Sequence, residues 1–355
     1  MPFRFIVLLL LTLSVQAFAT KTSDWGWGAQ PIIGYDDQNG WTFGANNVFY
    51  WDPDTTNKNH EVDELDLTTT ITTEMAYNVH GQFTKYFEED TRNYTIELGY
   101  ERYFTRYYGT SEATEDSVLA SSTAIDMPFS IGYLIKPFRN INIQPQYELH
   151  LLRNEYSDPV SDSIAGIIGL VDEDFTSGLG LSVEYNNTNP GIYKRTGYRI
   201  AVTSVYYGKW LGSRHNFELV GGSYKHYIPL GKESVLAWQV SYEQGIGDVP
   251  NFHMPTLGGN KILRGFDSDK YKGKYRTAAQ MELRFPIVWR VGGTAFVGAG
   301  NVDNRFQNLV DRMRVAGGLG IRFMVQTKQK INIRFDFTYS NEKDVKKYIK
   351  IKEAF

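Results

Sequence analysis

Near the carboxyl end of the chain, apolar and polar residues alternate strictly over ten positions. The odd positions of 331–340 are all apolar or aromatic, whereas the even positions are polar and include Arg334 and Asp336. Successive side chains of a β-strand point to opposite faces, so this stretch is predicted to form a strand with one apolar and one polar face. The segments 94–101 and 236–243 repeat the pattern. Period-two alternation therefore predicts an all-β protein.

Two architectures produce such alternation. In a soluble β-sandwich the apolar face is inside, whereas in a transmembrane barrel the apolar face meets lipid and the interior is polar. The predicted strands run to about ten residues, as a tilted membrane-crossing strand requires, and soluble strands are typically shorter. Aromatic residues, which include 24 Tyr and 21 Phe, gather at strand ends such as 49–51 and 206–207, where interfacial girdles belong. These features favour the barrel.

The first 19 residues have the layout of a secretory signal peptide. Arg4 precedes an apolar run at 5–13, and the small-residue site Ala17-Phe18-Ala19 follows. The alternative is an N-terminal anchor helix, but the apolar run is short for a membrane span and no stop-transfer pattern follows it. Segment 1–19 is therefore predicted to direct export. No later apolar run approaches the ~18 residues of a membrane-spanning helix, so a membrane form must be a closed barrel.

Along the whole chain the alternation gives sixteen strands, and an even count is typical of bacterial single-chain barrels. The connections 106–125, 155–173 and 247–273 are long, and each follows an odd-numbered strand, so they open on the same, extracellular side. The sequence therefore predicts a 16-stranded antiparallel transmembrane β-barrel over residues 30–355. A short periplasmic segment, 20–29, is predicted to precede it.

Composition excludes several classes of function. The chain has 37 Lys and Arg against 40 Asp and Glu, and this net charge of −3 excludes nucleic-acid binding driven by positive charge. Cysteine is absent, so thiolate metal sites and cysteine nucleophiles are excluded. The six His residues have no ligand spacing, and no G-x-S-x-G motif occurs. We expect no enzymatic activity, no catalytic residues, no metal, no cofactor and no nucleic-acid partner.

The predicted connection 247–273 contains the sequence LGGNKILRGF at 257–266. This motif resembles the RGF loop of the BamA/TamA outer-membrane assembly superfamily, also called the bacterial surface antigen family. Its position agrees, because it lies between the eleventh and twelfth predicted strands. The segment 279–286 resembles the family's strand twelve, and Phe355 resembles its C-terminal insertion signal. The resemblance is clearest over residues 180–355.

The resemblance implies that the long loop folds back into the lumen, where Arg264 is the inserted cation and Glu282 its expected partner. In a partly dry lumen a charge-assisted Arg–carboxylate contact is stronger than a neutral one, and breaking one side is costly. The alternative is a solvated extracellular loop with an incidental Arg. The loop residues assigned to this site are Gly258, Gly259, Leu263, Arg264, Gly265 and Phe266, of which the glycines allow a tight backbone path.

The chain departs from the family pattern in three places. The family's strand thirteen commonly carries an Asp that completes the Arg site, and Gly298 stands at this position, with Asp303 a candidate substitute farther along. Glu353 lies two residues before Phe355, where an apolar residue is usual. The segment 20–29 leaves no room for the periplasmic POTRA modules with which relatives capture clients by strand addition.

The resemblance implies a bacterial outer-membrane protein that acts in insertion, assembly or translocation of other proteins. Outer-membrane lipids and periplasmic or outer-membrane protein partners are expected, because the barrel lacks its own client-capturing modules. The Lys-rich last strand, 346–355, predicts a weakly paired edge, since charge weakens the pairing of an edge strand. Two alternatives stay open: a passive or gated pore for small solutes, and a scaffold within a larger outer-membrane complex.

Overall fold

The computed structural model describes residues 20–21, 25–51, 62–87, 91–110, 118–156, 158–168, 170, 172–268, 270–327 and 330–355. The predicted signal peptide, 1–19, lies outside these residues. Sixteen long strands dominate the described chain, and each pairs in an antiparallel manner with its sequence neighbours. The last strand returns to the first, so that the sheet closes. The prediction of a closed 16-stranded antiparallel barrel is therefore confirmed.

The strands correspond one to one with those predicted from alternation. They are β1 (Trp25–Asp36), β2 (Gly40–Trp51), β3 (Asp63–Thr72), β4 (Tyr77–Phe87), β5 (Arg92–Tyr107), β6 (Ala120–Phe138), β7 (Ile141–Tyr156), β8 (Glu173–Asn186), β9 (Gly197–Tyr207), β10 (Phe217–Leu230), β11 (Ser234–Gly247), β12 (Tyr275–Val288), β13 (Val291–Asp303), β14 (Arg314–Gln326), β15 (Ile331–Ser340) and β16 (Val345–Ile351).

The first strand begins earlier than the alternation indicates. Residues 25–29, placed by the sequence in a short periplasmic segment, belong to β1, where Trp25 faces Trp51 and Trp27 faces Phe49 across the ladder to β2. Glycine alternates with Trp in this stretch, so an apolar–polar pattern cannot reveal it. A two-residue strand, Thr20–Lys21, pairs with the other side of β1 at Trp27 and Gly26.

The apolar face of the sheet points outward. Leu98, Leu319 and Phe337 expose 63%, 68% and 55% of their surface. Their neighbours on the opposite face are buried, with Arg334 2% and Asp336 1% exposed. A soluble sandwich would bury the apolar set and expose the charges, whereas a membrane barrel places the apolar set against lipid. The exposure pattern identifies the second arrangement.

The three longest connections, 108–119, 157–172 and 248–274, follow odd-numbered strands and lie at one end of the barrel, whereas the connection 52–62, after β2, lies at the other. The connections at the first end carry helix α1 (Pro159–Ile168) and short 3₁₀ turns at Lys209–Leu211, Asn251–His253 and Phe306–Val310. No helix in the described part of the chain is long and apolar enough to cross a bilayer. The connections at the opposite end include the tight turns 139–140 and 289–290. By the usual rule for such barrels, the first end is extracellular and the second periplasmic.

The barrel closes through a short ladder, which we call the seam. β16 pairs with β1 only at Tyr348 with Asp36 and Ile349 with Tyr35. By contrast, β1 pairs with β2 over its whole length. On the seam side, residues 28–33 of β1 have no strand partner among the described residues. The seam is therefore held at its extracellular end, residues 28–33 are left unpaired, and Thr20–Lys21 covers the periplasmic end of β1 at Trp27 and Gly26.

Candidate functional site

The loop between β11 and β12 enters the barrel through a tightly folded turn. Two-residue strands, Thr256–Leu257 and Tyr271–Lys272, pair at its base. Gly265 has a φ of +117°, and a Cβ there would lie 2.9 Å from the Cβ of Ala316 on β14. Leu263 also adopts a left-handed φ, 55°, which is unusual for a non-glycine residue. The backbone path therefore requires Gly265 and holds Leu263 in a strained conformation.

The apolar residues of the motif fix the loop to the barrel wall. Leu263 is 1% and Phe266 3% exposed. They form one buried cluster with residues of the loop base and of strands β12 to β14, namely Leu257, Tyr271, Ala278, Val302 and Ala316. The loop backbone adds polar contacts, since Arg334 Nη2 on β15 donates to the Asn260 carbonyl oxygen at 3.0 Å. The motif is thus packed against the wall rather than solvated.

Arg264 lies fully buried between two carboxylates and an aromatic ring. Its Nη1 donates to Asp336 Oδ2 at 2.7 Å, and its Nη2 donates to Glu282 Oε2. The guanidinium carbon lies 3.6 Å from the centroid of the Phe296 ring on β13. A planar guanidinium can contact carboxylates at its edge and an aromatic ring on its face at the same time, and Lys cannot do both.

The contacts of Arg264 belong to a larger set, which we call the lumenal charge cluster. Its members are four arginines and three carboxylates: Arg264, Arg284, Arg322, Arg334, Glu282, Asp336 and Glu353. Arg284 Nε lies 2.8 Å from Glu282 Oε1, and Arg322 Nη1 lies 2.6 Å from Asp336 Oδ1. Arg334 Nη1 lies 3.4 Å from Asp336 Oδ2. Among these side chains the arginines outnumber the carboxylates by one, and each carboxylate lies within 4 Å of more than one arginine.

The structure brings some predicted residues together and places others elsewhere. Glu282 contacts Arg264. Gly298 provides no carboxylate for Arg264. A Cβ there would lie 3.0 Å from Leu263 Cδ1, so the loop occupies the space that a side chain at this position would need. Asp303 is not the substitute, because it accepts hydrogen bonds from the Arg305 amide and Asn308 Nδ2.

The second carboxylate for Arg264 comes from Asp336, which sequence reasoning did not connect with the loop. Asp336 lies on β15, 72 positions from Arg264. The alternation places it on the inward face, but alternation cannot show which inward residues meet across a lumen. Glu353 departs from the family pattern, and no sequence signal places it beside Arg322.

The loop also contacts both sides of the seam. The Gly265 amide donates to the Tyr348 hydroxyl on β16 at 3.1 Å, and Asp267 lies 3.1 Å from Lys346 of the same strand. On the other side, the Ser268 hydroxyl donates to Gln38 Oε1 at 3.1 Å, in the turn after β1. The loop therefore bridges the two strands that close the barrel.

A second part of the loop is seated on the opposite wall through His253. The His253 ring lies 4.9 Å from Tyr207, 5.1 Å from Phe217 and 5.1 Å from His150, between ring centroids. Its Nε2 is 2.9 Å from Thr176 Oγ1. Burial lowers the pKa of His253 well below its ordinary value of 6.5, and positive charge on His150 and His215 lowers it further.

The burial of the His253 ring predicts a pH dependence of stability. The unfolded chain regains the ordinary pKa at His253, so below about pH 6.5 it binds a proton that the folded chain does not. The stability contributed by this site is therefore present above about pH 6.5 and is lost as the pH falls. We expect the midpoint temperature of thermal unfolding to decrease when the pH is lowered from about 7.5 to about 5.5. The decrease should be smaller in His253→Gln. An equal decrease in the unfolding midpoint of the natural protein and of His253→Gln would contradict the attribution of the pH dependence to His253.

Together the outward apolar face, the charged lumen and the inserted loop define a transmembrane β-barrel whose lumen is occupied by one of its own extracellular loops. A family model described as the Omp85 superfamily domain matches residues 29–352. The chain belongs to the Omp85 superfamily, and the resemblance found in the sequence is confirmed. It is an outer-membrane β-barrel of that superfamily, and the described residues include no POTRA-like domain.

Solved structures of this superfamily share the fold. A BamA from Haemophilus ducreyi lacking POTRA domains 1–3 is 16% identical with a TM-score of 0.66, and the match covers 92% of this chain and 70% of that one. CdiB from Acinetobacter baumannii is 12% identical with a TM-score of 0.60, over 94% of this chain and 60% of that one. CdiB from Escherichia coli is 11% identical with a TM-score of 0.61, over 93% and 63%. The chain spans less than two thirds of either CdiB. A search of curated proteins finds no match.

Proposed function

We propose that this protein inserts or translocates other proteins at the outer membrane and that the seam is the place where it does so. The observation that carries the proposal is the closure of the barrel by two residue pairs, Tyr348 with Asp36 and Ile349 with Tyr35. Membership of the Omp85 superfamily, which also includes BamA and CdiB, supports the same general role. We expect no enzymatic step in this work.

The unpaired edge of β1 offers hydrogen-bonding groups to an incoming strand. An exposed edge presents a row of unused amide and carbonyl groups, which can template pairing with another chain. Pro31 lies within this stretch of β1 and has no amide hydrogen to donate, so this position can only accept a hydrogen bond from an incoming strand.

Few interactions join β1 directly to β16, and the loop contacts at Tyr348, Lys346 and Gln38 are the other links across the seam. Besides the two residue pairs, the ion pair of Lys350 with Asp36 at 2.7 Å and the hydrogen bond from the Lys347 amide to Asp37 at 2.8 Å join the two sides. A cavity of about 580 Å³ lies behind the seam, lined by residues 30–34 of β1 and by 350–353. A client strand could enter lipid from this cavity through the seam.

Clients must be brought to this edge. The described residues hold no module ahead of the barrel that could capture them, so we propose that a periplasmic or outer-membrane partner delivers them. An affinity purification in mild detergent tests this directly. A partner that carries strand-adding modules supports delivery, whereas a complex of purely structural proteins supports the scaffold alternative.

The experiment that tests the function separates assembly from conduction. Depletion of the protein is expected to lower the amounts of other outer-membrane barrels or secreted clients, while uptake of small solutes stays normal. Both quantities are measured in the same cells, by quantitative proteomics of the outer membrane and by rates of solute uptake. Altered uptake with normal levels of every other barrel would show a pore instead.

A further inference from the structure

The chain leaves the barrel wall after β16 and turns into the lumen. Lys352 adopts a left-handed φ of 69°, and its amide donates to the Asn332 carbonyl oxygen on β15 at 2.8 Å. The residues that follow lie inside the periplasmic end of the barrel, where Ala354 is only 6% exposed. We call residues 352–355 the strap.

Glu353 binds the strap to strands β14 and β15. Its Oε2 accepts a hydrogen bond from Arg322 Nε at 2.8 Å, and its Oε1 accepts one from Asn332 Nδ2 at 2.8 Å. Arg284 Nε of β12 lies 3.9 Å away. The side chain of Glu353 is 8% exposed. Glu353 thus supplies the third carboxylate of the lumenal charge cluster, in a chain where Gly298 supplies none.

Phe355 packs against other strands of the barrel than Glu353 does. Its ring lies 5.6 Å from the guanidinium of Arg284, whose Nη2 donates to the main-chain oxygen of Phe355 at 2.9 Å. The ring packs against a buried apolar group of β10 and β11 together with Tyr193 from the periplasmic connection after β8; that group is Tyr227, Val235 and Ala237. The strap therefore starts at the seam strand and ends against β10 and β11.

We infer that the inner wall carries a binding site for an extended acidic–x–aromatic segment, and that Glu353 to Phe355 fill this site in the closed barrel. Arg322, Asn332 and Arg284 recognise the acid, and Arg284 with the apolar group recognises the aromatic ring. Because one end of the strap is continuous with β16, a filled site ties the seam strand to the opposite wall. The filled site also narrows the periplasmic mouth of the lumen.

Charge explains why the site is selective. With the strap removed, four arginines face two carboxylates, and excess buried charge of one sign is costly. An acidic group at the Glu353 position relieves this imbalance, and a neutral one does not. Phe355 alone could not hold the strap, since its ring is only partly buried. The inference is independent of the proposed function, because it concerns only where the strap lies and what holds it.

Labelling of an introduced cysteine in the purified full-length protein tests the inference. The natural chain has no Cys, so Ala354→Cys is a single reporter, and a membrane-impermeant maleimide should label it slowly. Adding Glu353→Gln is expected to speed labelling about tenfold or more, since a charged hydrogen bond is lost. Phe355→Ala should speed it as well. Heat-modifiable mobility in SDS gels shows that each variant has folded.

A matched control removes a carboxylate from the same end of the barrel. Glu233, in the turn after β10, pairs with Lys330 at 3.3 Å and is 58% exposed, so Glu233→Gln should leave labelling of Ala354→Cys unchanged. Fast labelling of Ala354→Cys alone, or equal rates in Glu353→Gln and Glu233→Gln, would overturn the inference. Either result would leave the seam and its proposed function untouched.

A second measurement tests recognition itself. A fluorescent peptide of residues 348–355 should bind the full-length barrel that carries Glu353→Gln, in which the strap is released, as read by anisotropy. The same peptide with Gln at the Glu353 position should bind about tenfold more weakly or worse. Equal binding of both peptides, or binding of the acidic peptide to the natural barrel as tightly as to the Glu353→Gln barrel, would refute a specific site.

Discussion

Exchanging Glu282 for Gln is expected to lower the free energy of unfolding by about 3 to 5 kcal/mol, because it removes one side of a buried ionic network. Glu282 contacts Arg264, lies 2.8 Å from Arg284 and lies 3.7 Å from Arg322. Its neutralisation leaves four arginines facing Asp336 and Glu353 alone. The barrel wall itself, and not only the loop, should lose stability. Urea unfolding in detergent micelles, followed by tryptophan fluorescence, measures the change.

Removal of a cation from the lumenal charge cluster should have a different effect. Arg264→Ala leaves three arginines and three carboxylates in the lumenal charge cluster, so the remaining charges balance. We expect a smaller loss of barrel stability than in Glu282→Gln, together with release of the loop, seen as faster protease cleavage within 257–268. A larger loss of barrel stability in Arg264→Ala would show that the loop, rather than charge balance, governs the stability of the wall.

A carboxylate elsewhere on the inner face provides the control. Glu97 on β5 is 40% exposed, and its carboxylate lies 3.8 Å from the ring of His80. Exposed pairs of this kind contribute about 0 to 1 kcal/mol, so Glu97→Gln should stay within that range. If Glu97→Gln destabilised the barrel as much as Glu282→Gln does, the effect would belong to any inward carboxylate and not to the cluster.

The sequence predicts the barrel well because each strand carries its own signal. Lipid on one face and water or charge on the other impose period two on every strand, so alternation over 331–340 is sufficient to orient Arg334 and Asp336 inward. Residues 25–29 are not predicted as part of a strand, because a Gly stands at each position where a polar residue would alternate with Trp. Local patterns fail where one face of a strand carries no side chain, and they also extend the last strand to 355, although it ends at Ile351.

The site is harder to predict because its residues meet across the lumen. The motif around Arg264 identified the loop, and the inward face of β12 identified Glu282. Asp336 and Glu353 join the cluster through contacts between distant strands, and their hydrogen bonds to Arg264 and Arg322 span 72 and 31 positions. Periodicity shows which face a residue lies on, and it contains no information on which residue it faces.

Closing the seam with a disulfide is expected to abolish client insertion. Tyr35 and Ile349 are paired residues in the ladder between β1 and β16. Paired residues of antiparallel strands have Cα atoms about 4.5 to 5.5 Å apart, within the range a disulfide accepts. The oxidised Tyr35→Cys/Ile349→Cys protein should have background activity in proteoliposomes supplied with an unfolded client barrel, because β1 cannot exchange its partner. Reduction should restore activity fully, since the chain has no other cysteines.

A disulfide one strand away separates seam opening from general rigidity. Phe337 and Lys347 pair in the ladder between β15 and β16, so Phe337→Cys/Lys347→Cys makes a cross-link of the same kind that leaves the seam free. This control should insert clients equally well when oxidised and when reduced. If it also lost activity on oxidation, rigidity of the last strands would be the cause. If the oxidised seam pair stayed active, clients would reach the membrane without separating β16 from β1, and the weak ladder would have to serve another purpose.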